Sequence, residues 1–246
     1  MASFNNSISQ LKFKSYGTSD IGLMREKNED CFAILQEERF FALADGMGGH
    51  KAGEIASKEA VSYLCQAVRE LFSASQSPLT CEMLKQFIHH IFQNANSWVY
   101  HLSNSLDEYQ GMGTTLSSAL IFDNHLITSH IGDSRIYLLR NKQLELITTD
   151  HTSYDKCPKK NSRRKVLTQV IGSSKKVTAD TRITQIQEND LFLICSDGLT
   201  DYMKENTLYD ILSRETSLVT KSDELIVTAK ESGSSDNITA LMIEIH

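Results

Sequence analysis

Four aspartates in this 246-residue chain stand where an apolar run meets a turn containing glycine or serine: Asp45 in FFALADGMGGH, Asp133 in HIGDSR, Asp197 in LICSDG and Asp236 in GSSDN. Taken singly, each is also what a turn selects, because aspartate bonds its own local backbone. Asp45 says more. The runs CFAILQ and FFALA are separated by Glu37-Glu38-Arg39, a hairpin spacing, and a turn centred between Glu37 and Glu38 sets Asp30 directly across the ladder from Asp45. Opposed like charges destabilise a ladder, so the pair calls for a cation between them, and Glu29 adds a third acid. Hard divalent cations such as Mg²⁺ and Mn²⁺ take carboxylates, backbone carbonyls and waters. Bare glycine backbone after Asp45 lets the Gly46 carbonyl approach such an ion. A carboxylate-rich site of this kind suits metal-assisted phosphoester hydrolysis, with Arg25, four residues before Glu29, as a fork for the phosphate. Taken alone, Arg25 is equally a solvated surface arginine.

These acids need strands to hold them. LKFKSYG, CFAILQ and FFALA read as short strands. Two helical stripes follow, from Ala60 to Phe72 and from Leu84 to Leu102, with Ser77-Pro78 as the expected cap and first residue of the second. His89, His90 and His101 lie on or beside that helix without acidic or cysteine partners at ligand spacing, which favours surface or packing roles. A meander follows: TTLSSALIF, HLITSHI, RIYLLR and LELIT, broken at Asp123-Asn124, Gly132-Asp133-Ser134 and Asn141-Lys142. LFLIC and ITALMIEI supply two more strands, with helical stretches near 203–213 and 218–231 between them. The order predicts an α+β fold whose antiparallel sheets carry helices on their outer faces.

Composition narrows the classes. A 40% hydrophobic content supports a sizeable core, and without a linker-like segment we expect one domain over 1–246. A net charge of −6 argues against a nucleic-acid partner. No stretch has signal-peptide character or the roughly 18 apolar residues of a membrane span, so the expectation is a cytoplasmic protein with no membrane partner, monomeric by default. Five scattered cysteines without a CxxC pair suggest reduced thiols and no zinc site.

Seven segments, SDIGLMREKNEDCF (19–32), ALADGMGGHKAGEIAS (42–57), GMGTTLSSALI (111–121), HIGDSRIYLLR (130–140), LTQVIG (167–172), LICSDGLTD (193–201) and GSSDNITALMIEI (233–245), resemble in order and spacing the motifs of the metal-dependent type 2C protein serine/threonine phosphatases. The flavour is that of the short bacterial members, and the match runs from about residue 11 to the C-terminus. The resemblance implies a four-layer α-β-β-α sandwich, two central antiparallel sheets flanked by helix pairs, with a binuclear Mg²⁺ or Mn²⁺ centre at one end. It implies that Asp45 bridges the ions, the Gly46 carbonyl completes one, Asp197 and Asp236 hold the other, and Glu29 and Asp30 act largely through waters. Asp133 matches an acid that, with Asp197, supports a third, weaker ion in bacterial members, and Arg25 matches the phosphate-binding arginine. The implied substrates are phosphoproteins, and the implied counterpart is a bacterial serine/threonine kinase whose action is reversed.

Two departures stand out. Met47 follows Asp45-Gly46 where some members carry a histidine proposed as general acid, which leaves the acid unassigned; His50 is nearby, a weaker candidate than a metal-bound water. The flap segment beside the active site shrinks to about 153–165, and it holds the one basic cluster: Lys156, Lys159, Lys160, Arg163, Arg164 and Lys165. Such a cluster is commonly a solvated loop, and its functional reading, through Lys159, Lys160 and Arg163, is a docking edge for an acidic phosphoprotein. Three rival readings fit the residues less well. Cys157 and Arg163 have the C-x5-R spacing of cysteine-dependent phosphatases, but CPKKNSR lacks the glycine-containing cradle. A catalytically inactive phosphoprotein-binding or sensor module on the same fold usually loses metal-ligand acids, and here all are present. A metallonuclease would find little surface for a polyanion.

Overall fold

The computed structural model describes residues 11–47, 52–75, 77–157 and 162–246, with backbone alone for 155–157 and 162–164. Its elements run β1 (Phe13–Asp20), β2 (Asp30–Leu35), β3 (Phe40–Met47), α1 (Gly53–Ala74), α2 (Cys81–Ser103), β4 (Gly113–Thr114), β5 (Leu116–Phe122), β6 (His125–Ile131), β7 (Arg135–Arg140), β8 (Gln143–Leu146), β9 (Thr152–Cys157), β10 (Ser162–Leu167), β11 (Asp180–Gln185), β12 (Leu191–Cys195), α3 (Asp197–Thr200), α4 (Glu205–Leu212), α5 (Leu218–Glu231) and β13 (Ile238–Ile245). Two antiparallel sheets form, in the orders β1-β13-β12-β7-β8 and β11-β6-β5-β3-β2, while β9 and β10 pair with each other.

Three apolar clusters define the layers. Phe40, Ala42 and Ala44 of β3 pack with Leu64, Val68, Ile88 and Phe92 of α1 and α2. Phe41 and Leu43 face the other way and meet Phe192, Ile194, Leu241 and Ile243 between the sheets. Leu193, Ala240 and Met242 pack outward against Leu208, Leu225 and Ala229 of α4 and α5. The result is the expected α-β-β-α sandwich. Successive strand side chains alternate faces, so each strand feeds two clusters.

That alternation positions the chemistry. Asp45 continues the parity of Phe41 and Leu43, and Asp30 that of Phe32 and Ile34, so both point between the sheets at one end. The hairpin register is as counted from the sequence: Asp30 pairs with Asp45, and Leu35 with Phe40. Ser196, just past Ile194, and Thr239, two before Leu241, carry the same parity.

Three local features differ from expectation. The cap of α2 is Thr80 rather than Ser77, because Thr80 Oγ1 accepts from Met83 N at 3.2 Å and the helix begins at Cys81. The stretch about 153–165, read as a loop, lies in β9 and β10, which pair antiparallel from Thr152↔Leu167 to Cys157↔Ser162. Strand β11 gave no signal: it is an edge strand, half exposed, and its alternation is mostly polar. The turns at Asp123-Asn124 and Asn141-Lys142 are as expected, with positive φ at both residues of each.

Strand β6 also buries His130, which is 1% exposed. Its Nδ1 lies 3.0 Å from Ser117 Oγ, and its ring packs 5.1 Å from that of His151. Burial, then His151, pushes its pKa down from 6.5 to about 4, against the pull of the Gly132 backbone, Asp150 and Asp180. A depressed histidine gives stability that is full above its unfolded value and is lost as pH falls toward its folded value. The wild type is therefore expected to lose about 3 kcal/mol through this group between about pH 6.5 and 4. Urea denaturation of His130→Gln should show that slope flattened; an unchanged slope rules the group out. Among the described residues, no helix is long and apolar enough to cross a membrane.

Candidate metal centre

The end of the sandwich brings the predicted acids together through three strand termini and two loops. Thr114 and Thr115 clamp the backbone of Asp45. Its carbonyl accepts from Thr115 N and from Thr114 Oγ1, both at 2.9 Å, and its N–H donates to Thr115 Oγ1 at 2.9 Å. Gly46 is wedged between the start of α1 and the loop before β2: its N–H donates to Glu29 O at 3.1 Å, and a Cβ there would stand 2.2 Å from Gly53 O. Only glycine fits. Gly132, at φ +109, makes the turn that presents Asp133, and a Cβ there would strike Thr115.

Asp30 is 8% exposed and only half satisfied. Its Oδ2 accepts from Ser196 Oγ at 2.7 Å and Thr239 Oγ1 at 2.6 Å, whereas its buried Oδ1 has no hydrogen-bond partner among the described residues. Donor directions can be followed outward. Thr239 gives its proton to Asp30, so Ser19 Oγ must donate to Thr239 at 2.7 Å and itself accepts from Asn28 Nδ2 at 2.8 Å. Burial pushes the Asp30 carboxyl up to about 6, and the two hydroxyls oppose it. Asp45 is pushed well above the ordinary carboxylate value, first by burial, then by the charges of Asp30, Asp197, Asp236 and Asp133. Asp197, first residue of α3, goes up to about 7 through burial, Asp133 and Asp201, with Lys165 opposing. Burial also raises Glu29. The acids crowd one another, and a divalent cation would reverse the sign of that effect.

Asn237 holds the preceding loop in place. Its Oδ1 accepts from Glu29 N, and its Nδ2 donates to the carbonyls of Ile21 and Lys27, all at 2.9 Å. Residues 21–29, with Arg25 and Glu29, are thereby tied to the strand that begins after Asp236. Arg25 Nη2 donates to Asp236 Oδ2 at 2.7 Å, which places the phosphate fork against an expected metal ligand. Asp133 is buried and paired with Lys165 at 2.8 Å. Among the described residues, no three acid, imidazole or thiol side chains are placed to hold a metal ion by themselves. The donor set fits hard cations nonetheless: oxygens only, an orphaned buried carboxylate oxygen, and a glycine backbone that a side chain would displace.

The sequence profile described as Protein phosphatase 2C matches residues 24–240. This chain belongs to the protein phosphatase 2C family. Membership makes it an enzyme of the protein serine/threonine phosphatase class. The serine/threonine phosphatase stp of Listeria welshimeri is 34% identical over 239 residues, spanning 92% of this chain and 93% of the relative. Among solved structures, Stp1 from Staphylococcus aureus superposes with a TM-score of 0.82 at 31% identity, covering 96% of both chains. The catalytic domain of the serine/threonine protein phosphatase PstP, solved with two manganese ions, gives 0.80 at 30% identity, covering 96% of this chain and 99% of that one.

Within this 2C phosphatase, the structure brings Arg25, Glu29, Asp30, Asp45, Gly46, Asp133, Asp197 and Asp236 to one end of the sheets. His50, Lys159 and Lys160 lie outside the described residues, as do the side chains of Lys156, Cys157, Arg163 and Arg164. Met47 is exposed. Cys195, beside the acids in sequence, has its thiol pushed up to about 12 by burial, which disqualifies it as a thiolate nucleophile. Sequence reading missed Ser196, Thr239, Asn28, Ser19, Asn237 and Lys165. Ser196 and Thr239 had a signal: each is a hydroxyl at a parity otherwise filled by core residues.

Proposed function

We propose that this chain, acting as one phosphatase domain, hydrolyses phosphoserine and phosphothreonine monoesters in proteins at a centre of two divalent ions, opposing a serine/threonine kinase of its cell. The observation that carries the reading is the directly opposed Asp30–Asp45 pair, with one buried carboxylate oxygen that has no donor among the described residues, beside the acids Asp197, Asp236 and Glu29. Asp45 would hold both ions, the Gly46 carbonyl would complete one, Asp197 and Asp236 would hold the other, and Glu29 and Asp30 would act largely through waters. Bound Mg²⁺ or Mn²⁺ would supply Lewis acidity toward the phosphoryl oxygens and a water of lowered pKa.

The protein's own groups do the rest. Arg25, half exposed at the mouth, binds and orients the phosphate through N–H groups beyond the one engaged by Asp236. Ser196 and Thr239 hold one oxygen of Asp30 and so fix its rotamer directly across the ladder from Asp45. Thr114 and Thr115 hold the Asp45 backbone still while charge changes around it. The basic run Lys159, Lys160 and Arg163 serves as a docking edge for acidic phosphoproteins; charge reversal there should weaken turnover of a protein substrate and spare a small aryl phosphate.

Metal-free protein given a phosphothreonine peptide should release phosphate only after Mn²⁺ or Mg²⁺ is restored. Equal release in the presence of a chelator overturns the metal-dependent reading. No release under any divalent ion would favour a binding module on this fold.

A further inference from the structure

Lys165 leaves the β9–β10 hairpin for the acid cluster. It pairs in register with Tyr154, and its Nζ stands 2.8 Å from Asp133 Oδ2, 3.1 Å from Asp201 Oδ1 and 4.0 Å from Asp197 Oδ2. The three carboxylates come from two pieces of chain: Asp133 from the turn after β6, and Asp197 and Asp201 from the two ends of the single turn of α3. One ammonium thus gathers three acids that would otherwise repel one another. The root of the hairpin is fixed to the same turn, since His151 N donates to Gly132 O and Thr168 N to His151 O, each at 2.8 Å. Lys165 is therefore delivered to Asp133 by backbone hydrogen bonds as well as by charge, and its side chain is only 26% exposed.

Asp133 and Asp197 are the acids that the sequence resemblance links to a third, weaker divalent ion. A second cation on those oxygens would stand within a few ångströms of the ammonium, where repulsion between unit charges is of the order of several kcal/mol at a partly buried site. Resting on the two-ion reading above, we propose that Lys165 is a tethered cation occupying the third-ion position, so that a divalent ion binds there only by displacing it. The site would then be held by a monovalent charge that the chain carries with it, and occupancy by a third ion would demand a high divalent concentration.

The test counts ions rather than turnover. Metal-free protein is titrated with Mn²⁺ by calorimetry, with equilibrium dialysis to fix the number bound. The wild type should take two ions tightly. Lys165→Met should bind a further ion about ten-fold or more tighter than any third ion on the wild type. Lys165→Gln, which keeps a donor toward Asp133 and Asp201, should match Lys165→Met and serves if that variant fails to fold. Lys165→Arg keeps the charge and should match the wild type. If the neutral variants show wild-type stoichiometry and affinities, or if Lys165→Arg gains the extra ion as they do, the tethered-cation assignment falls while the two-ion centre stands. If the wild type binds no ion, both fall.

Discussion

Asp45→Asn is expected to lower kcat/KM by about a thousand-fold and, in the metal-free protein, to raise the melting temperature. The first effect follows from position: Asp45 is the carboxylate around which Asp30, Asp197, Asp236 and Asp133 all exert charge, so it is the group best placed to hold cations against a phosphate. The second follows from the same crowding. An amide of the same shape relieves the like-charge pairing across the ladder with Asp30, worth about 1 kcal/mol, or about 2–4 °C in a chain of this size. The backbone clamps from Thr114 and Thr115 do not involve the carboxylate and should survive. Phosphate release and calorimetric melting with and without Mn²⁺ check both. An Asn variant that keeps more than a tenth of the activity removes Asp45 from the centre, and one that melts lower without metal refutes the repulsion.

The second large effect is expected at Asn237, which touches no substrate. Its side chain is 3% exposed and joins Glu29 N to the carbonyls of Ile21 and Lys27. Asn237→Ala removes three hydrogen bonds and leaves three backbone groups to find water, at a net cost of about 2–4 kcal/mol. Because the freed loop carries Arg25 and Glu29, kcat/KM should fall by about ten- to a hundred-fold, mostly through KM as the phosphate fork loses its fixed place. Urea denaturation and steady-state kinetics read the two consequences separately. A stability loss below about 0.5 kcal/mol with unchanged KM would show that the loop is held by other means.

Much of this site is written in short-range patterns. The Asp30–Asp45 pairing follows from a hairpin of fixed length, and the two faces of β3 are visible as Phe40, Ala42, Ala44 against Phe41, Leu43, Asp45. Period-two alternation would also have placed Ser196 and Thr239 beside Asp30, had their strands been phased against the acids rather than read as apolar runs. Lys165 could not be found that way. Nothing local distinguishes it from its basic neighbours, and its role depends on a hairpin rooted at Gly132 and on α3, both set by tertiary structure. Asn237 is similar, because its partners are backbone groups more than 200 residues away in the chain. The α2 cap was misplaced because Pro78 is a good first helical residue, whereas Thr80 has the hydroxyl that reaches Met83 N.

The parity of β3 limits how the gene can change. Substitutions at Phe41 or Leu43 would alter packing, but losing or gaining one codon between Phe40 and Asp45 would turn the carboxylate toward α1 and away from Asp30 while leaving a strand that still pairs. The strand therefore works as a ruler, set by residue count as much as by residue identity. Length changes can accumulate where no such ruler exists, as between β9 and β10, which pair with each other and with neither sheet.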